Sequence, residues 1–61
     1  PAAIMTHNGP NITAEIGRSK RRGYPVHMVW SDKGSAFGGA LHYRSLDDAL
    51  DRIEQLERSM A

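Results

Sequence analysis

Between Leu46 and Met60 apolar residues recur at helical spacing. Leu46, Ala49, Leu50, Ile53, Leu56 and Met60 fall within a stripe roughly 120° wide when successive residues are turned by about 100°. Most of the stability of such a helix comes from packing that stripe against another surface, so the rest of the chain must supply one. Ser45 is placed to cap it: its hydroxyl can accept from the amide of Asp48, and Asp47 and Asp48 put negative charge at the positive end of the helix dipole. Asp48 with Arg52, and Glu54 with Arg58, are spaced four apart on the solvated side, pairs worth about 0.3–0.5 kcal/mol each. Glu57 is the exception, since it lies inside the stripe near its end, where fraying would return it to water.

The receiving surface reads as strands. Ile12, Ala14 and Ile16 alternate with Thr13 and Glu15, the period-two pattern of a half-buried strand. A second strand is expected over Tyr24 to Ser31, with Tyr24, Val26, Met28 and Trp30 on one side and His27 and Val29 on the other. Pro25 cannot donate to a ladder and so belongs near that strand's start. A third is expected over Ala40 to Arg44, with Leu41 and Tyr43 facing together, and the basic run 17–23 and the glycine-rich run 32–39 connect the three. Ahead of them, the turn signal Asn8-Gly9-Pro10 sets off residues 1–10 as a flexible N-terminal arm, leaving 11–61 as a single β-β-β-α domain.

Parity then fixes faces. Pairing Ile16 with Tyr24, Ala14 with Val26 and Ile12 with Met28 places one apolar row beneath the helix. Leu41 and Tyr43 join that row only if facing residues of the second and third strands sum to an odd number such as 69, which sets His27 opposite His42. The other face carries Thr13, Glu15, His27, Val29, Ala40, His42 and Arg44, and no remaining segment is left to cover it. The expected fold is therefore α+β: a three-stranded antiparallel sheet packed on one C-terminal α-helix.

Size narrows the function. A chain of 61 residues hides only about 60% of the surface its unfolded form exposes, which leaves one thin core and no deep cleft. With no cysteine, disulfides, thiol catalysis and cysteine-based metal sites are excluded. The apolar stretches are too short to span a bilayer and no signal-peptide pattern is visible, so a cytoplasmic location without membrane partners is expected. A core this small also makes self-association, as a homodimer, a reasonable expectation.

The net charge of +1 conceals an uneven distribution. Residues 1–44 hold six Lys and Arg against two acids, and residues 45–61 hold two against five. The first part is thus the expected face for a polyanion. Within it, Arg18, Lys20, Arg21 and Arg22 crowd a hairpin tip, where long side chains can reach successive phosphates. Thr13, His27, His42 and Arg44 extend this set along the open face, and a two- or three-stranded ribbon is narrow enough for the DNA major groove.

Two segments carry a family resemblance: Gly23-Tyr24-Pro25-Val26-His27-Met28-Val29-Trp30 and His42-Tyr43-Arg44-Ser45-Leu46-Asp47-Asp48-Ala49-Leu50. An aromatic strand followed by an aromatic-x-Ser-x-acid-acid-Ala helix entry resembles the DNA-binding domains of plant ethylene-response-type factors and the arm-binding domains of tyrosine recombinases from mobile elements. The resemblance implies duplex DNA as partner. The chain departs from those families in carrying Val29 and Ala40 where they favour Arg and Trp, which bears on base reading more than on phosphate binding.

Other chemistry is not expected. His27 and His42 facing each other invite zinc, but no third ligand is assured and Glu15 lies one row away, so surface imidazoles that tune polyanion affinity are the better reading. Residues 34–39 have the glycine content of a phosphate loop without its Gly-Lys-Ser/Thr order. Phe37 within that run either folds back on the core or contacts a partner. With no Ser–His–Asp set and no paired carboxylate cleft, neither catalysis, a cofactor nor a small-molecule substrate is expected. The function expected is that of a nucleic-acid-binding, preferentially dsDNA-binding, accessory or regulatory protein of a mobile element. The rival is a protein-interaction module or phage-type inhibitor acting through the same face, as a dimer for instance.

Overall fold

Four strands precede one helix in a computed structural model that describes residues 4–36 and 38–61: β1 (Met5–Asn8), β2 (Ile12–Arg18), β3 (Val26–Asp32), β4 (Gly38–Tyr43) and α1 (Leu46–Ser59). The strands form one antiparallel sheet in chain order, β1-β2-β3-β4, and α1 packs on one side of it. The class is the α+β sheet with a C-terminal helix read from the sequence, with four strands in place of three. Residues 5–8, expected in a flexible arm, pair with β2 from Met5 opposite Ile16 to Asn8 opposite Thr13. Asn8-Gly9-Pro10 is thus the turn of a hairpin, with the Gly9 amide donating to the Ile12 carbonyl at 2.9 Å. The part of the expected arm ahead of Ile4, and Phe37 with its expected role, lie outside the described residues.

Parity was right and register was not, at one of the two expected pairings. Between β3 and β4 facing residues sum to 69, with His27 opposite His42 and Val26 opposite Tyr43. Between β2 and β3, Ile16 faces Met28 and Ile12 faces Asp32, four residues along from the expected pairing. A shift by an even number keeps every side chain on its face, which is why the apolar row survives it. Its cost is borne by Tyr24, which was expected opposite Ile16 and instead lies in the β2–β3 connection.

Among the described residues the core is made on the helix side of the sheet. Ile12, Ala14 and Ile16 of β2, Val26 and Met28 of β3, and Ala49 and Ile53 of α1 are buried, with Met5, Trp30, Tyr43, Leu46, Leu50 and Leu56 packed around them. Met60, assigned to the stripe, is 40% exposed beyond the end of α1, and Leu41 on β4 is 43% exposed although its row faces the helix. Trp30 lies over its cross-strand neighbour Gly39, where an added Cβ would stand 3.1 Å from the indole ring. At Gly38 an added Cβ would collide with the Trp30 carbonyl.

Both helix ends are satisfied. Ser45 Oγ accepts from the Asp48 amide at 3.1 Å, as the capping pattern predicts. Glu54 and Arg58 pair on the exposed side, whereas Arg52, expected to reach Asp48, donates instead to Gln55 Oε1 at 3.4 Å. Glu57 does not fray into water. It receives His7 Nε2 at 2.8 Å and the Asn11 amide at 3.1 Å, which fastens the first hairpin to the last turn of α1.

Candidate nucleic-acid interface

The sheet side away from α1 is built of three cross-strand rows. Gly17, His27 and His42 form one; Thr6, Glu15, Val29 and Ala40 form the second; Asn8, Thr13, Ser31 and Gly38 form the third. Among the described residues no helix covers them, and Val29 is 47% exposed. The second and third rows line a shallow concavity of about 520 Å³, whose walls include Thr13, Glu15, Val29, Ser31 and Ala40.

The first row abuts the basic connection between β2 and β3. That connection is held by the Ser19 amide donating to the Pro25 carbonyl at 2.8 Å and the Tyr24 amide donating to the Arg21 carbonyl at 3.1 Å. Gly23 is the third residue of the inner turn and has φ of 82°, a conformation that L side chains rarely adopt. The turn therefore presents its cations from a fixed backbone.

Polar and aromatic groups converge where turn and row meet. The His27 and His42 rings stack with centroids 4.7 Å apart and planes inclined by 19°. Ser19 Oγ accepts from the Arg21 amide at 3.0 Å and stands 2.6 Å from His42 Nδ1. Desolvation first, and then the neighbouring His27 and Arg21, hold the His42 pKa below the ordinary imidazole value. The Arg21 and Arg44 guanidiniums each lie over the Tyr24 ring, 5.2 and 5.4 Å from its centroid.

Of the residues singled out from the sequence, Arg21, His27, His42 and Arg44 meet in this cluster. Lys20 and Arg22 are exposed on the turn, and among the described residues no hydrogen bond or ion pair engages either. Thr13 lies two rows away in the concavity. Arg18 is exposed at the end of β2, but its place in the strand alternation is that of the helix-facing row. Ser19 and Tyr24 were not expected in the site. Ser19 had one available signal, a small hydroxyl inside a run of cations, while Tyr24 was hidden by the register error. Among the described residues no group of three metal-ligating side chains occurs.

The chain matches no protein-family model, and neither curated proteins nor solved structures yield a match.

Proposed function

We propose that the protein binds nucleic acid, with duplex DNA favoured, as an accessory or regulatory protein. The carrying observation is the union at one end of an uncovered sheet face of Arg21, Arg44, His27, His42 and Ser19, with Lys20 and Arg22 exposed just beyond. Cations on a turn fixed by Gly23 can follow a phosphate backbone, and the open side of the four-stranded sheet lies directly behind them. The α1 acids Asp47, Asp48 and Asp51 are exposed on the opposite side of the molecule, which orients the face toward a polyanion. Changing Lys20 and Arg22 together to Ala should weaken binding to every duplex and reduce the salt slope by about two phosphate contacts. Unchanged affinity and slope in a two-salt fluorescence titration would remove the reading.

The exposed Val29 beside Ala40 favours a second reading, a homodimer or protein partner seated on the same face. Sedimentation separates the two, since a dimer closed over His27, Val29 and His42 would exclude DNA.

A further inference from the structure

β4 ends the sheet, with no strand beyond it among the described residues. A strand at a sheet edge presents a row of unpaired amides and carbonyls, which recruits another strand unless the edge is very short or is blunted by charge, Pro or a bulge. β1, at the other edge, is only four residues long. β4 carries none of these devices. Its six residues, Gly38-Gly39-Ala40-Leu41-His42-Tyr43, include no Lys, Arg, acid or Pro, and they pair one for one with β3, without a bulge. Among the described residues no turn, loop or cap hydrogen bond reaches the β4 backbone. The side chains repeat the pattern. Met5, Ile16, Met28 and Leu41 form one cross-strand row on the helix side. Ile16 and Met28 are fully buried, yet Leu41 at the edge is 43% exposed. The apolar row therefore stops open at the same strand whose backbone is open.

We infer that β4 pairs antiparallel with β4 of a second copy of the chain, about a two-fold axis normal to the sheet, joining two four-stranded sheets into one. A second copy is the occupant because the strand is complementary to itself. Such an axis keeps both helices on one side, so facing residues of the two β4 strands must sum to an even number. With Leu41 on the axis, Leu41 meets its own equivalent, and the apolar row runs unbroken from Met5 of one chain to Met5 of the other. Tyr43 of each chain then comes opposite Gly39 of the other, beside the Trp30 indole that lies over that glycine. Ala40 comes opposite His42 and Gly38 opposite Arg44, so no like charges are opposed. The inference does not rest on the duplex-DNA reading. It also differs from a dimer closed over His27, Val29 and His42, because edge pairing leaves the outward rows of both copies uncovered.

The chain contains no cysteine, so single replacements report which residues meet. Leu41→Cys should form an interchain disulfide in high yield under mild oxidation, since residues facing across an antiparallel pair have Cα atoms about 4.5–5.5 Å apart, within disulfide reach. Val29→Cys, on the open face, should not. Sedimentation equilibrium of the wild-type chain should show monomer and dimer in exchange. Leu41→Lys sets two like charges on the axis at an already exposed position, and should weaken the dimer at least about tenfold while keeping the wild-type circular dichroism spectrum. Should Leu41→Lys fail to fold, the disulfide yields decide. A wild-type chain that stays monomeric up to millimolar concentration overturns the inference, as does a dimer that persists in folded Leu41→Lys, or a disulfide at Val29→Cys and none at Leu41→Cys. The first two outcomes leave the duplex reading standing; the third favours the dimer closed over the open face.

Discussion

His7 and Glu57, fifty positions apart in the chain, meet with Nε2 and Oε2 at 2.8 Å, and the other oxygen of the same carboxylate holds the Asn11 amide. The hydrogen bond from His7 holds the Glu57 carboxyl below the usual carboxylate range, with the Asn11 amide acting in the same direction and desolvation against it. Because the folded-state pKa is depressed, the stabilisation is present above the ordinary glutamate pKa and is lost as the pH falls through the lowered value. Thermal melts of Glu57→Gln should therefore lie below wild type at pH 7, and the two curves should converge in acid. Gly9 packs directly against this pair, and a Cβ there would collide with both Glu57 Oε2 and His7 Nε2. Gly9→Ala and Glu57→Gln should thus be non-additive in a double-mutant cycle. Additive losses would show that the two act separately.

Two strand glycines should respond in opposite senses. Gly38→Ala drives a methyl group into the Trp30 carbonyl and should cost about 1–3 kcal/mol in denaturant unfolding. At Gly17 nothing lies within 4 Å of an added Cβ, so Gly17→Ala should be neutral or stabilise by about 0.5 kcal/mol. A Gly38→Ala chain as stable as wild type would contradict the described approach of β3 and β4.

The short core leaves little reserve. Ile53 is 3% exposed between α1 and the sheet, and its replacement by Ala should cost about 2–5 kcal/mol, much of the whole stability of a domain this size. Ile53→Ala should be largely unfolded by circular dichroism at 37 °C. Met60→Ser, at a position 40% exposed, should melt like wild type.

His42 should give stability and binding opposite pH dependences. Its folded-state pKa is lowered, so the neutral form is the one the fold favours; that stabilisation is complete above the ordinary imidazole pKa and declines as the pH falls toward the lowered value. A phosphate beside His27, His42 and Arg21 would favour the cation instead. Between pH 7.5 and 5.5 the melting temperature should therefore fall while affinity for duplex DNA rises, and His42→Gln should flatten both trends. Affinity that falls with acidification would contradict the placement of the phosphate.

What could be read in advance was whatever depends on period and parity. The α1 stripe, the Ser45 cap and the facing of His27 and His42 all follow from local spacing. The four-residue slip between β2 and β3 was not legible, because every even shift keeps Ile12, Ala14 and Ile16 in the apolar row. The observed register pairs the two seven-residue strands along their whole length and joins them through the tight turn around Gly23. β1 was missed because its four residues are too short for a clear alternation, and a turn signal was read as a boundary instead of a bend. Glu57 did carry a warning. A carboxylate within an apolar stripe announces a donor from elsewhere in the chain, and His7 is that donor.

Among the described residues, all seven buried side chains belong to α1 or to the strand positions beneath it. Gly38 and His42 apart, the outward rows can consequently diverge with little draw on the energy that keeps the chain folded. In a molecule of this length such a partition gives selection two nearly independent alphabets, one for persistence and one for recognition, printed on opposite surfaces of the same four strands.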